Sequence, residues 1–204
     1  MSDPNTQGDP KTHEQRMERL AEEQSRKTRA ADTSRGVLVV QTGDGKGKST
    51  SGFGVALRAI GHGQRVGIVQ FIKGTWKTGE REVLRRLPEV DLVVSGDGFT
   101  WVTKDREQDI ASARAGLDAA RRFILGGEHH VVVLDEINVA MGYGYLDPDE
   151  VVELLLSRPE HVSVVLTGRN APDEVVAAAD TVTEHRVVKH AFKAGIRARI
   201  GVEF

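Results

Sequence analysis

A chain of 204 residues, with 28 Lys plus Arg against 30 Asp plus Glu and a formal net charge of −2, suits one domain and carries no global field to draw it to nucleic acid or an anionic membrane. Cysteine is absent, which excludes disulfides, thiolate metal centres and thiol nucleophiles. No apolar run approaches the ~18 residues of a membrane span and the first residues lack the order of a signal peptide, so a cytoplasmic protein is expected.

Residues 1–36 are almost wholly polar, with Met17 and Leu20 the only large apolar side chains after Met1. Such a segment cannot bury enough surface to fold alone, so it reads as an arm, disordered or helical only when something lies under it. From Val37 to Phe204 the texture is that of one α/β domain. Short apolar runs predict strands over Val37–Gln41, Arg65–Ile72, Asp91–Ser95, His130–Glu136, His161–Thr167 and Thr181–Val188. Helical spacing sets Phe53, Ala56, Leu57 and Ile60 on one stripe of Ser49–Ile60. It sets Ile110, Ala113, Leu117, Ala120 and Ile124 on one stripe of Arg106–Leu125. Shorter helices are expected over Glu80–Leu87, over Val151–Leu156 behind an Asp147 cap with Pro148 and an acidic Glu150, and over Pro172–Ala179. Strands alternating with helices predict a mostly parallel sheet with helices on both faces.

The first strand opens into TGDGKGKST, Thr42 to Thr50. A dinucleotide fingerprint fails here, because the sixth position is Lys48 counted from Gly43 or Thr50 counted from Gly45. The phosphate-loop pattern is met at Gly47, Lys48 and Ser49, with Thr42 where the first glycine usually stands. Backbone N–H groups of Gly43, Asp44, Gly45, Lys46 and Gly47 would curl around phosphate oxygens. Lys48, expected to face solvent without nucleotide, adds a full charge, and Ser49 offers a hydroxyl to Mg²⁺. The strand HHVVVLDEIN ends in Asp135 and Glu136, which at the carboxyl edge of a parallel sheet would stand beside those phosphates and hold Mg²⁺ directly or through water. These parts predict a phosphate-loop fold that binds a nucleoside triphosphate and Mg²⁺. They leave phosphoryl transfer, hydrolysis and nucleotide-gated switching open. His129 and His130 read as strand-edge residues and His185 with His190 as unsuited to one helix face, so none of the four suggests a metal centre.

Beyond the loop, TGDGKGKST, LRAIGHG, VQFIKGTWKTGE, GFTW, VVVLDEIN, VLTGRNAP and VKHAFKAGI follow one another in the order seen in the corrinoid adenosyltransferases acting on cob(I)yrinic acid a,c-diamide and cob(I)alamin, a family this chain resembles from Val37 to its last residue. The resemblance implies that ATP is attacked at its ribose 5′ carbon by a Co(I) corrinoid and that triphosphate leaves. It implies roles for Lys48 and Glu136 in steadying the departing charge, for Ser49, Glu136 and Asp135 at the metal, and for Phe99 and Trp101 against the lower corrin face. Thr42 and Thr50 bracket the loop. Arg169, and with them Arg58 and His62, are candidate nucleotide contacts, against surface exposure and helix-end packing as the alternatives. It further implies a homodimer, a reduced flavoprotein as electron donor, and an arm that orders over the active site.

Overall fold

The computed structural model describes residues 10–31, 33–72, 78–95 and 105–203. They fall into two compact units, 1–34 and 35–204. In the first, α1 (Pro10–Ala30) carries Met17 and Leu20 exposed among charged neighbours.

The second unit is built on six strands among the described residues: β1 (Leu38–Thr42), β2 (Val66–Gln70), β3 (Val90–Val94), β4 (Val131–Asp135), β5 (Ser163–Thr167) and β6 (Thr181–Glu184). They pair in the order β3-β2-β4-β5-β1-β6, and every pairing is parallel. The helices are α2 (Lys48–Gly61), α3 (Gly79–Leu84), α4 (Arg106–Leu125), α5 (Ile137–Gly142), α6 (Pro148–Leu156) and α7 (Asp173–Ala178). Successive side chains of a strand point to opposite faces, so β4 sends Val132 and Leu134 into one apolar cluster and Val131 and Val133 into another. The right-handedness of parallel crossovers decides which helix covers which face. Leaving β1 and β2 toward the β3 edge, the chain places Phe53 and Ala56 of α2 and Leu84 of α3 on the second face. Returning toward β6, it places Leu117 and Ile124 of α4, Leu154 of α6 and Val175 of α7 on the first. The reversal falls between β1 and β5, and the crevice at the carboxyl ends of those strands is where doubly wound sheets bind ligands.

Several expectations need correction. Leu57 is 53% exposed, and α2 packs instead through Gly52, Phe53, Ala56 and Ala59, a stripe rotated off the predicted one. The last strand stops at Glu184 because its partner β1 has ended; His185 continues onto the glycine-rich loop, donating its N–H to Thr42 O and accepting from Gly45 N. The short α5 was not anticipated, having too few residues to show a period. α3 ends at Leu84, three residues earlier than the spacing suggests. Asp147 does cap α6 by accepting from Asp149 N at 3.0 Å, whereas Glu150 reaches across to Arg114 and Arg121 of α4. The stripe of α4 lies as predicted, with Ala113, Leu117, Ala120 and Ile124 buried and Ile110 partly so.

The two ends of β1 are held by different means. At its amino end Asp180 accepts from Arg35 at 2.5 and 2.9 Å and from Leu38 N at 2.8 Å, with Arg158 at 3.8 Å. These partners, Arg35 first, bring the Asp180 carboxyl down from its ordinary value of 3.8 to about 2. A carboxyl depressed in the folded state stabilises above its unfolded value and loses that contribution as pH falls through the folded one. Asp180→Asn is therefore expected to lower the thermal midpoint at pH 7, and the gap from the parent should shrink as pH falls from about 4 through 2, as melts across that range will report.

Candidate active site

At the carboxyl end of β1 the chain turns sharply. Gly43 and Gly47 take φ of 91° and 105°, a region in which a Cβ is strained, and a side chain at Gly43 would also strike His185 O at 2.5 Å. Gly47 is the N-cap of α2, and its carbonyl accepts the first helical bond from Ser51 N at 2.7 Å. The first turn of α2 thus presents its open N–H groups beside the loop, where the helix dipole favours an anion, but the Gly45 amide, expected to join them, is already given to His185 O at 2.6 Å. Thr42 does not face that point. Its Oγ1 accepts from Ala171 N at 3.1 Å and ties the loop to the segment after β5.

Lys48, Ser49, Glu136 and Arg169 line one cavity of about 440 Å³ together with Asp44, Lys46, Thr50 and Glu80. Contrary to expectation, Lys48 is not solvent-facing. It is 8% exposed and donates to Gly45 O at 2.6 Å. Burial pushes its ammonium below the ordinary lysine range, while the nearby Glu136 carboxylate works in the opposite direction. A desolvated cation in the first turn of a helix is a site whose electrostatic cost falls when an anion enters. Lys46 is paired with Glu203, near the carboxyl terminus. Arg169 stands between Gly168 and Asn170, both at positive φ, and its Nε lies 3.8 Å from Asp44 Oδ1 with both side chains largely exposed. A second cavity of about 480 Å³ continues from Asp44 and Arg169 toward His190, Phe192 and Lys193.

The two acids at the end of β4 part company. Asp135 is fully buried, its Oδ1 accepting from Thr167 Oγ1 at 2.8 Å and its Oδ2 from Gln70 Nε2 at 2.9 Å. Glu136 adopts a left-handed φ of 65° at the start of α5, donates its N–H to Thr167 Oγ1 at 2.9 Å, and lines the cavity. Among the described residues no group of three or more His, Cys, Asp or Glu forms a ready-made metal cage. The Ser49 hydroxyl and Glu136 carboxylate are hard oxygen donors on one cavity wall, a set that fits Mg²⁺, which takes one or two protein ligands and completes its shell with phosphate oxygens and water.

Not every candidate gathers here. Arg58 is in the last turn of α2 and His62 is its C-cap, so at ~1.5 Å per residue they lie roughly 15–23 Å along the helix from the loop. Phe99 and Trp101 lie outside the described residues. Conversely, His185, weighed in the sequence only against a metal centre, braces the loop, and buried polar residues that no motif marked lie at the strand ends. His185 Nε2 lies 2.7 Å from Gln41 Oε1 and its Nδ1 3.2 Å from Lys46 O. Gln41, Gln70 and Thr167 are all buried. The available signal was a polar residue at the carboxyl end of an apolar strand covered on both faces, where it must find a partner. His129, read as a strand-edge residue, is instead buried at the far end of the sheet, with Nε2 2.8 Å from Asp91 Oδ2.

The sequence model described as ATP:corrinoid adenosyltransferase BtuR/CobO/CobP matches residues 34–204. A corrinoid adenosyltransferase of Pseudomonas aeruginosa is 51% identical over 193 residues, 94% of this chain and 95% of that one. Those of Escherichia coli K12 and Salmonella typhimurium are 44% and 42% identical, each over 94% of this chain and 97% of their own. Among the described residues no helix is long and apolar enough to cross a membrane. The chain therefore belongs to the ATP:corrinoid adenosyltransferase family, whose enzymes adenosylate corrinoids in cobalamin biosynthesis.

Proposed function

We propose that the loop from Gly43 to Thr50 grips the triphosphate of ATP as a leaving group, while the 5′ carbon of the ribose is presented to the Co(I) of a corrinoid, cob(I)yrinic acid a,c-diamide or cob(I)alamin. The observation that carries this reading is that buried Lys48, Ser49 and Glu136 line one cavity with the loop residues Gly45 and Gly47 in a chain of this family. The cobalt electron pair forms the Co–C bond, the C5′–O bond breaks, and its electrons leave on triphosphate. No side chain need act as nucleophile or base. Lys48 and the loop N–H groups are preorganised toward the charge that develops on the departing oxygens. Ser49 and Glu136 would hold Mg²⁺, or Mn²⁺, which when bound neutralises part of that charge. Asp135 acts beneath Glu136, and Arg169 at the mouth contacts phosphate or ribose.

To Phe99 and Trp101 we assign, on the family resemblance, the exclusion of an axial ligand from the lower face of cobalt. A homodimer, electron supply from a reduced flavoprotein and a cytoplasmic location belong to the same reading. Phosphorus NMR of the products tests it: intact inorganic triphosphate is expected in step with adenosylcorrinoid. Phosphate with ADP would return the chain to the ATPases or kinases, and almost no product of either kind would make it a nucleotide-gated binding protein.

A further inference from the structure

Four buried polar side chains from four different elements form one line of hydrogen bonds under the cavity. Arg81 of α3, Gln70 of β2, Asp135 of β4 and Thr167 of β5 are 5%, 1%, 0% and 0% exposed. Arg81 Nε donates to Gln70 Oε1 at 2.8 Å, Gln70 Nε2 donates to Asp135 Oδ2 at 2.9 Å, Thr167 Oγ1 donates to Asp135 Oδ1 at 2.8 Å, and Glu136 N donates to Thr167 Oγ1 at 2.9 Å.

The chemistry of the groups fixes every direction in this line. A guanidinium only donates, so Gln70 must turn its oxygen to Arg81 and its NH₂ to Asp135. An ionised carboxylate only accepts, so Thr167 must give its hydroxyl proton to Asp135, which leaves its lone pair for the Glu136 amide. Donors arrive at Asp135 from both sides, and rotating Gln70 or Thr167 would break two of these buried bonds at once, the condition under which a polar network favours a single arrangement. What it specifies at its far end is the backbone of Glu136, held at a φ that a residue with a Cβ adopts only under constraint.

We propose that Arg81 and Gln70 are positioning residues for the divalent-cation side of the site. By fixing Asp135, and through Thr167 the left-handed turn at Glu136, they aim the Glu136 carboxylate into the cavity. The proposal rests on the reading of Glu136 as a metal ligand given above. It also couples α3, outside the phosphate loop and the acidic pair, to the metal.

The test uses the full chain with ATP and Mn²⁺, counting free Mn²⁺ by electron paramagnetic resonance beside thermal melts and turnover with chemically prepared Co(I). Gln70→Leu, Arg81→Met and Thr167→Val are each expected to weaken Mn²⁺ binding in the presence of ATP by about ten- to a hundredfold, the usual consequence of losing a group that orients a ligand. Binding of ATP without metal should stay near that of the parent. The Gln70→Leu/Thr167→Val double variant should be no weaker than the worse single, since the residues act as a unit. Thr167→Ser, which keeps the hydroxyl, should restore affinity; if Arg81→Met does not fold, this Val and Ser pair still decides. Folded variants that bind Mn²⁺ as tightly as the parent would overturn the proposal even if turnover fell, and so would a Thr167→Ser variant as impaired as Thr167→Val. Glu136→Ala is measured alongside: unchanged Mn²⁺ affinity there overturns the metal reading itself, whereas loss there without loss in the Gln70 and Thr167 variants overturns the relay alone.

Discussion

Lys48→Ala is expected to reduce turnover by roughly 10²–10³-fold or more, the scale seen when a preorganised donor to developing negative charge is removed. The loss should appear in kcat with chemically prepared Co(I), because the charge on triphosphate grows as the C5′–O bond breaks. Stability without nucleotide should change little. The substitution forfeits the 2.6 Å bond to Gly45 O, but it also removes a cation that burial disfavours, and the two effects oppose one another. The stabilisation that ATP confers should fall sharply, since a ligand raises the melting temperature only through its affinity for the folded state. Melts with and without ATP, set beside initial rates, check all three statements. A folded variant with near-parental kcat would take the loop out of the mechanism.

Glu136→Gln should act on the metal and leave the phosphate grip in place. The amide keeps the size of the side chain and removes its charge, so the divalent-cation concentration for half-maximal rate is expected to rise by at least about a hundredfold, more than for groups that only orient a ligand. At saturating Mg²⁺ part of the rate should return. The reason to expect a local effect is the backbone: Glu136 N is held by Thr167 Oγ1 whatever the side chain carries, so the turn survives the substitution. A titration indistinguishable from that of the parent would leave Glu136 with only its place at the start of α5.

The sequence made the scaffold of this site legible and left its foundations out of sight, for physical reasons. Apolar runs such as VVVL before Asp135 announce strands buried on both faces, and the 20-residue α4 shows its period clearly. The loop could be read because glycines at 43 and 47 meet a backbone demand that few other residues meet. Gln70, Arg81 and Thr167 were invisible because their meaning is set by partners in other elements: Gln70 and Asp135 are 65 residues apart and Thr167 and Asp135 are 32 apart. Lys48 was misjudged for a similar reason. Its burial comes from the loop folding back over it, which no local pattern records. The end of β6 depended on where β1 stops, again a property of the pairing and not of the run TVTEHRVV.

The place of β1 in the sheet has a consequence for how the enzyme comes into being. Leu38 pairs with Val164 and Val39 with Thr181, so the strand that carries the loop has both its neighbours far along the chain. Closing such long loops must precede any reward from the contacts they bring, which makes parallel pairings of this kind slow to form. A growing polypeptide therefore displays TGDGKGKST early, while the bonds that His185 makes to Thr42 and Gly45 can form only once residues beyond Glu184 have emerged. Affinity for ATP is therefore expected to arise near the end of folding, as nucleotide binding followed during refolding would report.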